Sequence, residues 1–168
     1  MSDDGPPGDA VDEVAAAWRR ERPDLDLSAI TVAGRLGRLA LRLGPAQDET
    51  LAGFGLQDGG FDVLAALRRS GEPYTLTPSQ LSNAVMLSRS GMTSRLDRLE
   101  SAGLVERTLD PADRRSFRIR LTDQGYSVVD AAMTEHTANV TRLLAPLTKN
   151  QLAELDKTLR TLLLHLES

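Results

Sequence analysis

Between residues 92 and 99 the apolar positions fall at Met92, Leu96 and Leu99, the spacing of one face of a helix. From residue 104 the period drops to two. Val105, Arg107 and Leu109 share one side of an extended segment, and Phe117, Ile119 and Leu121 alternate with Arg118 and Arg120. The pattern predicts a helix over about residues 88–102 and strands over residues 104–110 and 117–121. A shorter helix over residues 78–86 precedes them, its start marked by Thr77-Pro78-Ser79-Gln80. There the threonine hydroxyl can accept from the Gln80 N–H while the glutamine side chain accepts from the Thr77 N–H. Proline suits the first helical position, whose N–H has no intrahelical partner in any case. Ser88 is the predicted cap of the next helix, and Gly103 supplies the left-handed residue that ends it.

Helical spacing governs both flanks as well. Residues 10–22 form a first helix that stops before Pro23 and carries the single tryptophan, Trp18. Ile30, Ala33, Leu36, Leu39, Ala40 and Leu43 mark a longer second helix, capped by Ser28, with a break or kink expected at Gly44-Pro45. Gly34 and Gly37 within it weaken helix propensity, which points to close approach of another helix. Residues 55–69 give a third helix. After Thr122-Asp123-Gln124-Gly125 a long helix reaches about residue 144. Thr148-Lys149-Asn150-Gln151 then repeats the capping pattern and opens a last helix rich in leucine: Leu152, Leu155, Leu159, Leu162, Leu163 and Leu166. So much leucine on the terminal helices reads as a dimerisation element, the other reading being a hairpin that closes a monomeric core. Residues 1–9, polar and rich in Gly and Pro, are expected to be disordered.

Two short helices, a tight turn and two strands joined by an arginine-tipped hairpin outline a winged helix-turn-helix over residues 57–125. The expected fold is mainly α with a small β-wing, flanked by interlocking N- and C-terminal dimerisation helices over residues 10–56 and 126–168. A net charge of −4 looks wrong for a DNA binder until it is divided along the chain. Residues 1–28 hold eight acids against three arginines, whereas residues 86–120 hold eight arginines against five acids. Phosphates respond to the local field, and the positive density sits on the proposed DNA element. With no cysteine there is no disulfide, thiolate metal site or thiol switch. No apolar run approaches the roughly 18 residues of a membrane helix, and the acidic start is not a signal peptide, so a cytoplasmic protein with no membrane partner is expected.

On the helical wheel Ser90, Ser94, Asp97 and Ser101 point away from the core, flanked by Thr93 and Arg98. Small hydroxyls and an arginine suit a helix entering a major groove without bulk. Arg89 stands at the start of the same helix, and Arg114, Arg115 and Arg118 on the hairpin suit phosphate or minor-groove contact. Asp113 is placed to hold a neighbouring arginine. Three charges face an unexpected way. Arg95 lies about 60° from the centre of the inward helix face, so it meets another part of the protein. Arg107 shares its strand face with Val105 and Leu109. Asp62 stands among Phe61, Val63, Leu64, Ala65, Ala66 and Leu67, where a carboxylate needs a partner or a solvent edge.

The hairpin segment DPADRRSFRIRLTDQG resembles the signature of MarR-type transcriptional regulators, on Asp110, Pro111, Asp113, Arg114, Arg115, Leu121, Thr122 and Gly125. The preceding LSRSGMTSRLDRLESAGLVER fits the same family, and the helix order is similar over about residues 29–168. The resemblance implies a homodimer on a pseudopalindromic operator of double-stranded DNA. The additional tryptophan-bearing helix is similar to that of the urate-responsive branch. By that resemblance Trp18, Asp62, Arg95 and Arg107 form the ligand site for a small anion, urate or a related purine. Some members carry a histidine on the long second helix near the dimer axis, but residues 29–56 here have none, and His136 and His165 stand isolated on other helices.

The expected function is a ligand-responsive regulator, a repressor released from DNA by its ligand. The competing readings are a MarR-type regulator answering a tricarboxylate or a phenolic acid, and an effector-independent DNA-binding protein. No phosphate-cradling glycine loop, metal-ligand cluster or paired nucleophile and base is present in the sequence, so neither enzyme chemistry, nor a cofactor, nor a metal is expected.

Overall fold

A computed structural model describes residues 8–57, 59–85, 91–110 and 116–168, and the chain divides into two compact units, Met1–Ala46 and Gln47–Ser168. In the N-terminal unit, helix α1 (Ala10–Glu21) is followed by most of helix α2 (Ser28–Ala52). Asp9 caps α1: its carboxylate accepts from the N–H groups of Val11 at 2.7 Å and Asp12 at 3.1 Å, and Asp12 accepts from the Asp9 N–H at 2.9 Å. Arg35 of α2 ties into the same cap, donating to Asp9 at 2.8 Å and to Asp12 at 2.6 Å. The helices approach closely at Gly34, where a Cβ would lie 3.3 Å from Val11. Among the described residues nothing comes within 4 Å of the corresponding point on Gly37, so only one of the two glycines is explained by helix approach.

The second unit contains α3 (Gly60–Arg69), β1 (Thr75–Leu76), α4 (Pro78–Ala84), α5 (Met92–Ser101), β2 (Val105–Leu109), β3 (Phe117–Leu121), α6 (Asp123–Leu143) and α7 (Lys149–Leu166). The strands form an antiparallel sheet in the order β1-β3-β2, with Val105 opposite Leu121, Arg107 opposite Ile119 and Thr75 opposite Arg120. Leu56, Val63, Leu64, Leu67, Leu81 and Ile119 are wholly buried. Met92, Leu96 and Leu99 join them from α5, as the helical spacing predicts.

Both predicted capping boxes form, Thr77 with Gln80 and Thr148 with Gln151. Gly103 ends α5 with φ of 69°. Thr122 caps α6, and Gly125 in its first turn admits the Leu104 carbonyl so closely that a Cβ there would lie 2.0 Å from the oxygen. Arg68 joins α3 to α6, donating to the Tyr126 hydroxyl at 2.8 Å and lying 4.3 Å from that ring and 5.5 Å from the Tyr74 ring.

Several boundaries differ from the sequence reading. Pro45 does not break α2, which continues to Ala52. The carbonyl it leaves without a donor belongs to Leu41, which is 75% exposed, so water can satisfy it. The third helix begins at Gly60 rather than near residue 55, because Gly55 and Gly59 take φ of 70° and 79°, outside helical geometry. Helix α5 begins at Met92 behind a left-handed Gly91; Ser88, the expected cap, lies outside the described residues. Residues 75–76, read only as extended, pair with β3 and complete the sheet. The Arg118 and Arg120 side chains, read as an outward row of free cations, are ion-paired to Asp110 and Glu106.

Candidate functional site

Helix α5 presents two faces with different chemistry. Thr93 and Ser94 lie exposed on its first turn, and the Ser94 hydroxyl donates to the Gly91 carbonyl at 2.9 Å. That bond leaves the hydroxyl oxygen available as an acceptor. Thr93, Ser94, Asp97 and Arg98 are exposed. Of the other expected DNA contacts, Arg89, Ser90, Arg114 and Arg115 lie outside the described residues, as does Asp113. Arg118 is described, and both its Nε and Nη2 donate to Asp110, at 2.9 and 3.1 Å. The buried Asp110 carboxylate holds the Arg118 guanidinium above its ordinary pKa, anchoring the strand at the base of the hairpin.

The opposite face of α5 looks onto the start of α3. There a cavity of about 140 Å³ is lined by Gly55, Gln57, Gly60, Arg95, Arg98 and Leu99, with Ala102 and Leu104 closing one side. Arg95 is half-buried, and its guanidinium rests on the backbone of Gly59, where a Cβ would stand 2.9 Å from both Cζ and Nε. Only glycine leaves that room, and the φ of 79° at Gly59 independently favours it. Asp62 stands half-buried in the first turn of α3. Asp62, Arg95 and Arg98 each already take part in a polar or ionic interaction.

Arg107 is placed differently. From β2 its Nη2 donates to Asp97 at 2.5 Å and its Nη1 to Glu100, both on α5. The hydrogen bond to Asp97 raises the Arg107 pKa, with burial acting against it. The guanidinium also lies 5.5 Å from the Phe117 ring, and its Nε is buried without a partner among the described residues. On a wheel of about 100° per residue, Asp97 and Glu100 sit roughly opposite Arg95 and Leu99. The structure therefore puts Arg95 on the cavity and Arg107 across the helix from it. Trp18, on α1 in the N-terminal unit, is 51% exposed.

Sequence reasoning did not single out Gln57, Gly59, Glu100 or Asp110. The Gly59-Gly60 pair ahead of Asp62 was the available signal, since paired glycines at a helix start admit close approach of another group. His136, read as isolated, packs its ring 5.0 Å from Phe61 with Nδ1 buried and unpartnered among the described residues. Among the described residues no group of acidic or histidine side chains is arranged to hold a metal, and no helix is long and apolar enough to cross a membrane.

Comparison with known proteins gives a consistent picture. The sequence model of the MarR family matches residues 54–116. The HTH-type transcriptional regulator PecS of Dickeya dadantii is 42% identical over 141 residues, 84% of this chain and 85% of that protein. Among solved structures, AbsC, a MarR family transcriptional regulator from Streptomyces coelicolor, superimposes with a TM-score of 0.71 at 29% identity, covering 85% of this chain and 96% of its own. A mutant of MarR from E. coli complexed with operator DNA gives a TM-score of 0.69 at 26% identity over 82% of this chain and 97% of its own.

Proposed function

The chain belongs to the MarR family of winged-helix transcriptional regulators, and from that premise we propose that it binds a pseudopalindromic operator as a homodimer and leaves it when a small anion, urate or a related purine, is bound. It acts as a repressor in the cytoplasm. The observation that carries this reading is the two-sidedness of α5: exposed Thr93 and Ser94 on one face, the Arg95 cavity on the other. A helix that touches DNA and ligand on opposite faces couples the two by linkage, because a ligand that prefers one pose of the helix shifts the population toward it.

Dimerisation is supported by apolar side chains left uncovered among the described residues. Val14, Ile30, Val32, Leu39 and Leu41 on α1 and α2 are 52–75% exposed, and Leu163, Leu164 and Leu166 on α7 are 55–79% exposed. Contiguous apolar surface of this kind marks interaction sites. For the ligand, Arg95 supplies the cation, Asp62 an acceptor for a ring N–H, and Trp18 a flat apolar face. The resemblance nominates Arg107 as a fourth contact. Its ion pairs support a role through Asp97 and Glu100, as the strut that fixes the angle of α5 against β2. A tenfold preference of the ligand for the released state supplies about 1.4 kcal/mol of bias per site.

Titrating urate and, separately, a tricarboxylate while following Trp18 fluorescence and operator binding by gel shift tests the proposal. Release by urate alone supports it. Release by the tricarboxylate alone moves the reading to a regulator of another anion, and DNA binding indifferent to both moves it to an effector-independent binder.

A further inference from the structure

We propose that Arg98 and Gln57 are ligand-binding residues of the cavity behind α5, and that a small planar anion is held there between two arginines, Arg95 and Arg98, rather than between Arg95 and Arg107. This deepens the proposed regulation by a small anion and rests on it. Arg95 and Arg98 stand three residues apart on α5, which places their side chains on adjacent turns of one face, and both line the cavity. Its described lining holds two cations and no acid, a balance that selects for negative charge. Gln57 adds an amide that both donates and accepts, the complement of a ring carrying N–H and C=O side by side. Leu99 and Leu104 are buried and give the ring face an apolar wall.

Size narrows the class. At about 140 Å³ the cavity is well below the roughly 300–1,000 Å³ of pockets that take drug-sized molecules. It suits a one- or two-ring anion and is too small for a nucleotide. Arg107 cannot serve as the second cation from where it stands. Asp97 and Glu100 hold it on the far side of the helix, and bringing it to Arg95 means breaking both ion pairs. Arg98, assigned to DNA by its exposure on the wheel, reaches the cavity without any rearrangement.

The test is calorimetric titration of full-length dimeric protein with urate at neutral pH in the absence of DNA, using wild type, Arg98→Gln, Arg98→Lys, Gln57→Ala and Arg107→Gln. Loss of a charge-assisted hydrogen bond predicts a Kd for urate raised about 10- to 100-fold in Arg98→Gln, with partial recovery in Arg98→Lys. Gln57 is exposed, so Gln57→Ala leaves the fold intact and should weaken urate by about 3- to 10-fold, in line with loss of a neutral hydrogen bond. Hypoxanthine, uncharged at this pH, should bind wild type and Arg98→Gln alike if it binds at all. If wild type binds urate and Arg98→Gln and Gln57→Ala bind it equally well, the two residues are not ligand contacts and this inference fails while the proposed function stands. If wild type gives no heat with millimolar urate, the proposed function and this inference fall together. A larger loss in Arg107→Gln than in Arg98→Gln would also overturn it.

Discussion

The Arg107 guanidinium, on β2, donates to the Asp97 carboxylate of α5 at 2.5 Å and fastens the helix that faces DNA to the sheet behind it. Glu100 accepts from the same group one turn on. Replacing Arg107 with alanine leaves two carboxylates facing each other on one helix side without a cation. The pair is only partly shielded, so the stability cost is about 1 kcal/mol or less. The larger consequence is on function: α5 loses its strut, and operator affinity should fall about tenfold or more while urate affinity changes less than threefold. Thermal denaturation, gel shift and calorimetry on one preparation check the three numbers together. A large loss of urate affinity instead would make Arg107 a direct ligand contact.

Gly59→Ala tests the seat of Arg95. A methyl group at this position would meet the guanidinium at 2.9 Å, and the φ of 79° is unfavourable for alanine. The strain costs about 1 kcal/mol or more, and the arginine must swing off its seat. Reduced urate affinity should accompany a small fall in Tm, with DNA binding retained but no longer relieved by urate. Unchanged release would separate Arg95 from the ligand response.

Gly125→Ala is a pure stability test. The Leu104 carbonyl oxygen would lie 2.0 Å from the new carbon, and backbone on both sides leaves no flexible side chain to yield. Overpacking of this kind costs about 1–3 kcal/mol, to be read as a lowered midpoint in urea denaturation. A midpoint within error of wild type would mean that the first turn of α6 shifts freely.

How much of this was legible follows from the range of the interactions. The capping boxes at Thr77 and Thr148, the left-handed Gly103 and the buried stripe Met92, Leu96 and Leu99 depend on residues three or four apart, and each stood open in the sequence. Arg95 also read correctly as facing protein, because its angle on the helix is local. Arg118 and Arg120 did not read correctly. Alternation showed which side of β3 they share, but not that Asp110 and Glu106 on the neighbouring strand would take their charge. Arg98 was assigned from its angle alone, and the neighbouring loop that turns one edge of that face into a cavity wall, Gly55 to Gln57, lies about four tens of residues upstream. The resemblance could nominate Arg107 for the ligand; only the pairing with Asp97 and Glu100 reveals where the side chain stands.

Acid should loosen the N-terminal unit. Hydrogen bonding to Arg35 lowers the Asp9 pKa below 3.8, and hydrogen bonds from the Asp9 N–H and then Arg35 do the same for Asp12. Carboxylates with lowered folded values contribute stability that is fully present above their ordinary range and is lost as pH falls through the lowered values. The clamp between α1 and α2 therefore holds at pH 5 to 8 and releases only well below pH 4. Trp18 fluorescence, which reports on α1, should be flat over the upper window and change in the strongly acidic one, and Arg35→Gln should shift that change to higher pH. A transition near neutrality would point to a histidine instead.

Thr93→Glu separates stability from DNA binding by sign. Thr93 is exposed in the first turn of α5, where the helix dipole favours negative charge, and no acid already occupies that turn. The substitution should therefore raise helix stability slightly, by about 0.3–1 kcal/mol at low salt. Against phosphates the same carboxylate is repulsive, and one on each half of a dimer adds twice. Operator affinity should fall at least tenfold in 100 mM salt, with urate affinity in the absence of DNA left as in wild type. For wild type, contact with about 6–10 phosphates predicts a loss of about 10³–10⁵ in affinity between 50 and 200 mM salt. A Thr93→Glu protein that is as stable as wild type or more so, yet binds the operator normally across that range, would place this face of α5 away from the nucleic acid.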